Sequence, residues 1–127
     1  MSYKVLVVDD SKLARMAVAK ALNALRPDWV RVEASRADEA LLLAGQSQFD
    51  IALIDFNMPE RDGLRLAADL RAQHPGMVLA VISANLQREI TERANAVQAQ
   101  FLPKPVTETA LGEFLGQAEA TLKATRP

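Results

Sequence analysis

DIALIDFNMPERDG, residues Asp50–Gly63, decides how the rest of the chain is read. Its apolar run, Ile51-Ala52-Leu53-Ile54, stops abruptly at Asp55. A short run rich in branched residues suits a strand buried on both faces. Pro59 in the Met58-Pro59 step and Gly63 in the Asp62-Gly63 turn signal prevent its continuation. Asp55 is therefore expected at the C-terminal mouth of an interior strand. A carboxylate is expensive to bury there unless a neighbour neutralises it.

Working outward, Lys4–Val8 is a second apolar run, and it ends in the acid pair Asp9-Asp10. Ser11 suits a helix N-cap. Ala14, Ala17, Val18, Ala21, Leu22 and Leu25 follow at helical spacing until Pro27. Val30–Ala34 alternates as an edge strand does. Ser35 is expected to cap a helix with Ala37, Ala40, Leu41 and Ala44 inward and Gly45 at its end. Beyond the central stretch, Leu64–Gln73 reads as a helix stopped by His74-Pro75-Gly76, with Leu64, Leu66, Ala67 and Leu70 inward. His74, the only histidine, reads as a surface helix-stop residue. Met77–Ile82 is a strand ending at Ser83-Ala84. Leu86, Ile90, Ala94 and Val97 form a narrow stripe on a marginally anchored fourth helix. Gln100-Phe101-Leu102 is a short last strand broken by Pro103-Lys104-Pro105. Leu111, Phe114, Leu115, Ala118 and Leu122 mark a final amphipathic helix.

Strand and helix thus alternate five times, which implies an α/β fold: a doubly wound parallel sheet with helices on both faces. Five units fit the order 2-1-3-4-5; that order rests on the resemblance given below, not on the spacing. A length of 127 residues argues for one domain, residues 1–123, with 124–127 as a tail or truncated linker. Half the residues are hydrophobic, enough for a core. The formal net charge of −1 gives no bulk attraction to nucleic acid or anionic membrane. The absence of cysteine excludes disulfides and thiolate metal sites. No apolar run approaches the roughly 20 residues that span a bilayer, and the N-terminal apolar segment is too short for a signal peptide. A cytoplasmic location is expected, with no direct nucleic-acid or membrane partner.

In open sheets of this kind ligands bind beyond the carboxyl ends of the strands. Asp9 and Asp10 end strand one, Asp55 strand three and Ser83 strand four, and Lys104 follows strand five. Two unit charges about 5 Å apart at an effective dielectric near 20 repel by roughly 3 kcal/mol. One lysine cannot neutralise three such carboxylates, but a hard divalent cation can. Mg²⁺, with Mn²⁺ as a substitute, takes oxygen ligands of this type. Asp55 beside Mg²⁺, an ammonium and a hydroxyl is suited to attack phosphorus and become an aspartyl phosphate. A modification carrying about two negative charges, held by a movable hydroxyl, is a switch input.

Asp9-Asp10, Asp55, Met58-Pro59, Asp62-Gly63, Ser83-Ala84 and Lys104-Pro105 together resemble the motif set of receiver domains of two-component response regulators, with single-domain chemotaxis regulators among them. The resemblance runs from the first strand through Leu122 and implies the flavodoxin-like sheet order 2-1-3-4-5. It implies that Asp55 is the phosphoacceptor, Asp10 a direct Mg²⁺ ligand and Asp9 a ligand through water. The main-chain carbonyl of Asn57 would supply a further ligand. Ser83 matches the switch hydroxyl, Phe101 the switch aromatic and Lys104 the phosphate-pairing lysine; Asn57 and Asn85 match positions that tune the phosphoryl lifetime. The implied partners are a sensor histidine kinase or phosphotransfer protein upstream. Downstream, a protein target, an output domain of its own or a second copy would meet the fourth helix, last strand and last helix. Such a domain is a switch that catalyses its own phosphorylation rather than an enzyme.

Simpler roles stand beside these. Ser83 also suits an N-cap of the fourth helix, and Phe101 a core position. A phosphohydrolase of the haloacid-dehalogenase type shares the aspartyl phosphate, but places its nucleophile early in the chain with an acid two residues later. A flavin or nucleotide binder would need a phosphate-cradling loop where Asp9-Asp10 stands. One departure from the receiver pattern is the missing glycine at the end of the fourth helix, which here reads Ala96-Val97-Gln98-Ala99. That helix is expected to end differently or to run on.

Overall fold

A computed structural model describes residues 2–59, 61–84 and 87–125. The elements alternate as β1 (Lys4–Val8), α1 (Lys12–Leu25), β2 (Val30–Ala34), α2 (Ala37–Gln46), β3 (Ile51–Asp55), α3 (Gly63–Gln73), β4 (Val78–Ser83), α4 (Arg88–Ala96), β5 (Ala99–Pro103) and α5 (Glu108–Thr125). The strands form one sheet in the order β2-β1-β3-β4-β5, and every pairing is parallel. Side chains alternate across a strand, so each interior strand feeds two cores. Leu6, Val8, Ala52, Ile54, Leu79 and Val81 point to one face, against Ala40 of α2, Leu66 and Leu70 of α3 and Ile90 of α4. Val5, Val7, Ile51, Leu53, Ala80 and Ile82 point to the other, against Val18 and Leu22 of α1 and Phe114 and Leu115 of α5. This is why the interior strands read as unbroken apolar runs: β3 is buried at all five positions.

Several boundaries differ from the sequence reading. Ser35 does not cap α2; Arg36 is the N-cap residue, and Glu39 instead reaches back to accept the Ser35 amide at 2.7 Å. Gly45 lies inside α2, which continues one residue further to Gln46, and Leu41 is only half-buried. β5 includes Pro103 as its last residue, a place where an edge strand tolerates proline. Ser83 does not cap α4; the N-cap residue is Gln87. The expected stripe on α4 reduces to Ile90 and Ala94, with Val97 at the C-cap and Leu86 outside the described residues. Ala124 and Thr125 continue α5 rather than starting a tail. His74 does end α3, and its ring Nε2 donates to the Ala44 carbonyl at 2.8 Å, tying α3 to the end of α2.

The α4–β5 junction explains how the chain manages without glycine. α4 stops at Ala96, and Gln98 takes φ 57°, the left-handed position at which glycine is favoured. Arg71, at the end of α3, holds it there. Its guanidinium donates to the carbonyls of Val97 and Gln98, each at 3.0 Å, and to those of Pro75 at 2.8 Å and Met77 at 2.6 Å. Burial pulls the Arg71 pKa below its ordinary value.

Candidate functional site

The register brings the acids to one rim. Val8 pairs with Ile54, so Asp9 and Asp55 leave the sheet side by side. Asp55 lies opposite Ile82, and Ser83 lies opposite Pro103, which places Lys104 one residue beyond. The Lys104 amide donates to the Ser83 carbonyl at 3.1 Å and carries the β5–α5 loop over the site. One carboxylate oxygen each from Asp9, Asp10 and Asp55 lie within 4.8 Å of one another. Asp55 is 2% exposed and Asp9 6%, whereas Asp10 faces solvent.

The Lys104 ammonium sits 2.5 Å from Asp55 Oδ1. It brings charge to that oxygen without hydrogen-bond geometry, so Oδ1 is buried with an ion-pair partner but no hydrogen bond. Asp9 Oδ1 accepts the Ser11 amide at 2.9 Å. Burial raises the Asp9 pKa. The Ser11 amide works against that, Asp55 adds to it, Lys104 opposes it and Asp10 adds to it. A buried oxygen lacking a hydrogen bond, in an all-oxygen set of three carboxylates, is what a hard dication completes. The residues present therefore fit Mg²⁺.

Each remaining candidate has a definite place. Ser83 is fully buried at the end of β4. Phe101 is half-buried on β5, beside Val81, packed on the core that contains α4. Asn57 is exposed in the loop after β3, and Asn85 lies outside the described residues. An open cleft of about 480 Å³ runs beside Asp9 and Lys104, between Ala14, Ala17 and Val18 of α1 and Pro105 and Val106.

The β3–α3 loop is seated by Gly63. A β-carbon there would stand 2.4 Å from the Asp55 carbonyl oxygen and 2.8 Å from Phe56 Cα. Only glycine lets α3 begin against the Asp55 peptide, and the Gly63 amide donates to the Phe56 carbonyl at 2.9 Å. Asp62 caps α3 by accepting the Arg65 amide at 2.8 Å, and it also pairs with Arg93 of α4 at 3.1 Å. Burial alone would raise the Asp62 pKa, but the Arg65 amide and Arg93 outweigh it and lower it.

Three arginines at this end or its supports were invisible in sequence. Arg15 donates to the Asp9 carbonyl at 2.6 Å, Arg71 gathers four carbonyls, and Arg93 joins α4 to the β3–α3 loop. Main-chain carbonyls occur at every residue, so such contacts leave no residue-type signature. The Asp62–Arg93 pair joins positions 31 residues apart in sequence, too far for any local spacing rule.

The family model for the response regulator receiver domain matches residues 5–115. The positive alginate biosynthesis regulatory protein of Pseudomonas aeruginosa is 40% identical over 129 residues, covering 97% of this chain and 47% of that protein. Response regulator MprA of Mycobacterium tuberculosis is 31% identical over 131 residues, covering all of this chain and 54% of that protein. Sensor protein TorS of Escherichia coli is 32% identical over 114 residues, which is 88% of this chain but 12% of its own length. The chain thus spans about half or less of these relatives. Among solved structures, the chemotaxis protein CheY4 of Vibrio cholerae superposes with a TM-score of 0.84 at 27% identity, covering 93% of this chain and 99% of that one. No helix among the described residues is long and apolar enough to cross a membrane. With the sheet order, the acid cluster at its rim and the match over most of its length, this chain belongs to the receiver-domain family of response regulators, the phosphorylation-dependent signalling domains of two-component systems.

Proposed function

We propose that Asp55 accepts a phosphoryl group from the phosphohistidine of a sensor histidine kinase or phosphotransfer protein. One observation carries this reading: Asp55, buried at a strand end, has two further carboxylates within 4.8 Å and the Lys104 ammonium at 2.5 Å. Asp9, Asp10, Asp55 and the Asn57 carbonyl would hold Mg²⁺. The ion would supply positive charge to the oxygens of the transferring group. An Asp55 carboxylate oxygen forms the new bond to phosphorus as the phosphorus–nitrogen bond breaks, and the histidine nitrogen keeps the electron pair. Lys104 then exchanges its carboxylate partner for a phosphoryl oxygen. Ser83 donates to another, and Phe101 follows through β5 to the face built by α4, β5 and α5. That face would engage a protein target, an output domain or a second copy in the cytoplasm. The domain catalyses its own phosphorylation and slow dephosphorylation rather than turning over a metabolite.

Acetyl phosphate with Mg²⁺ should label the wild-type protein on Asp55, and chelation or Asp55→Ala should abolish the label. Beryllium trifluoride with Mg²⁺ should shift NMR resonances of Ser83, Phe101 and α4. A label that survives Asp55→Ala, or a spectrum unmoved by the fluoride complex, overturns the reading.

A further inference from the structure

We infer that Arg15 is a positioning residue for the acid pair, holding the Asp9–Asp10 peptide so that both carboxylates address one cation. The inference rests on the metal-binding reading above.

Asp9 is fixed from three directions. Its amide donates to the Ala34 carbonyl at the end of β2, at 3.1 Å. Its carboxylate accepts the Ser11 amide at 2.9 Å. Its carbonyl accepts Arg15 Nη1 at 2.6 Å. That carbonyl belongs to the planar unit whose nitrogen is Asp10's, so fixing the oxygen fixes the plane from which Asp10 departs. Asp10 is exposed and lies past the end of β1, where the ladder no longer orients it.

Arg15 is itself held. Its Nε donates to Glu33 Oε1 of β2 at 3.1 Å, and its side chain is only 15% exposed. The fork therefore spans from the end of β1 to β2, with one nitrogen on each partner. The Ser11 cap starts α1 so that position 15, one turn on, faces back toward β1: the Arg15 amide donates to the Ser11 carbonyl at 3.0 Å. A lysine could place a charge here but not the same two-point bridge. Loss of a group that orients a metal ligand from behind typically costs about 10–100-fold in metal affinity.

Charge and position make opposite predictions. A cation beside the acids repels Mg²⁺, so if Arg15 acted only through its charge, removing it would tighten binding. If it acts by holding the peptide, removing it weakens binding. The experiment is calorimetric titration of the intact chain with MgCl₂ alone, at constant ionic strength, alongside thermal denaturation in chelator. Arg15→Ala should raise the Mg²⁺ Kd roughly tenfold. Arg15→Lys, which keeps the charge and loses the bridge, should also bind more weakly than wild type. Arg31→Ala removes a cation 3.9 Å from the same Glu33 without touching Asp9, and should leave Kd unchanged or lower it. An unchanged or lower Kd for Arg15→Ala overturns the assignment, as does wild-type affinity in a folded Arg15→Lys or equal weakening by Arg31→Ala. If Arg15→Ala does not fold, the Arg15→Lys and Arg31→Ala pair decides. Wild-type protein that binds no Mg²⁺ at millimolar concentration would instead refute the metal reading itself.

Discussion

At position 63 there is room for a hydrogen and nothing larger, because the Asp55 carbonyl and the Phe56 backbone already fill the space. Gly63→Ala should therefore destabilise the fold by about 1–3 kcal/mol, as overpacking does, and displace the end of β3 at Asp55. Chemical denaturation measures the first effect, and acetyl-phosphate labelling the second. Asp9 gives a pH dependence with a definite sign. Its folded pKa is raised above the ordinary 3.8, so between that value and the raised one the folded state holds more protons than the unfolded state. Stability from this group is greatest below 3.8 and falls as pH rises through the window. Replacing it by Asp9→Asn should flatten that fall in metal-free denaturation curves. The acids and Lys104 were legible in sequence because charge at the end of an apolar run is conspicuous. The Asp55–Asp9 adjacency was not read from spacing, since it depends on β1 and β3 being neighbours.

At the scale of elements, α4 has the fewest buried residues of the five described helices, Ile90 and Ala94, in keeping with its narrow apolar stripe. Its end was open in sequence, and the answer is a glutamine in a glycine's conformation. A left-handed residue bearing a side chain costs roughly 1–2 kcal/mol, part of which a glycine gives back as chain entropy. Gln98→Gly should accordingly stabilise the protein by about 0.5–1 kcal/mol in urea denaturation. Arg71→Ala should do the reverse and lose about 1–3 kcal/mol, because the part-buried carbonyls of Val97 and Met77 forfeit a charged donor together. Strand identities were legible from apolar runs, and α1, α3 and α5 from their periodicity. The α2 cap was misplaced by one residue because Ser35 and Glu39 bond in the reverse sense, with the glutamate accepting from the serine.

For the molecule as a whole, the rim that gathers three carboxylates is the part that folding alone leaves unfinished. Mg²⁺ should raise the melting temperature by several degrees, since a ligand at a hundred times its Kd adds about 2.7 kcal/mol. Chelator should reverse the gain, and scanning calorimetry with and without it is the check; no shift would contradict the fit of the acids to a dication. The opposite rim is built otherwise. There one guanidinium knots the turn after α3 to the turn after α4. α4 therefore stands like a mast stepped firmly at its foot, with a half-exposed Arg93–Asp62 line running from its last turn to the start of α3. With its foot tied through the carbonyls of Val97 and Gln98, such a spar has more freedom to tilt about its base than to slide as a whole.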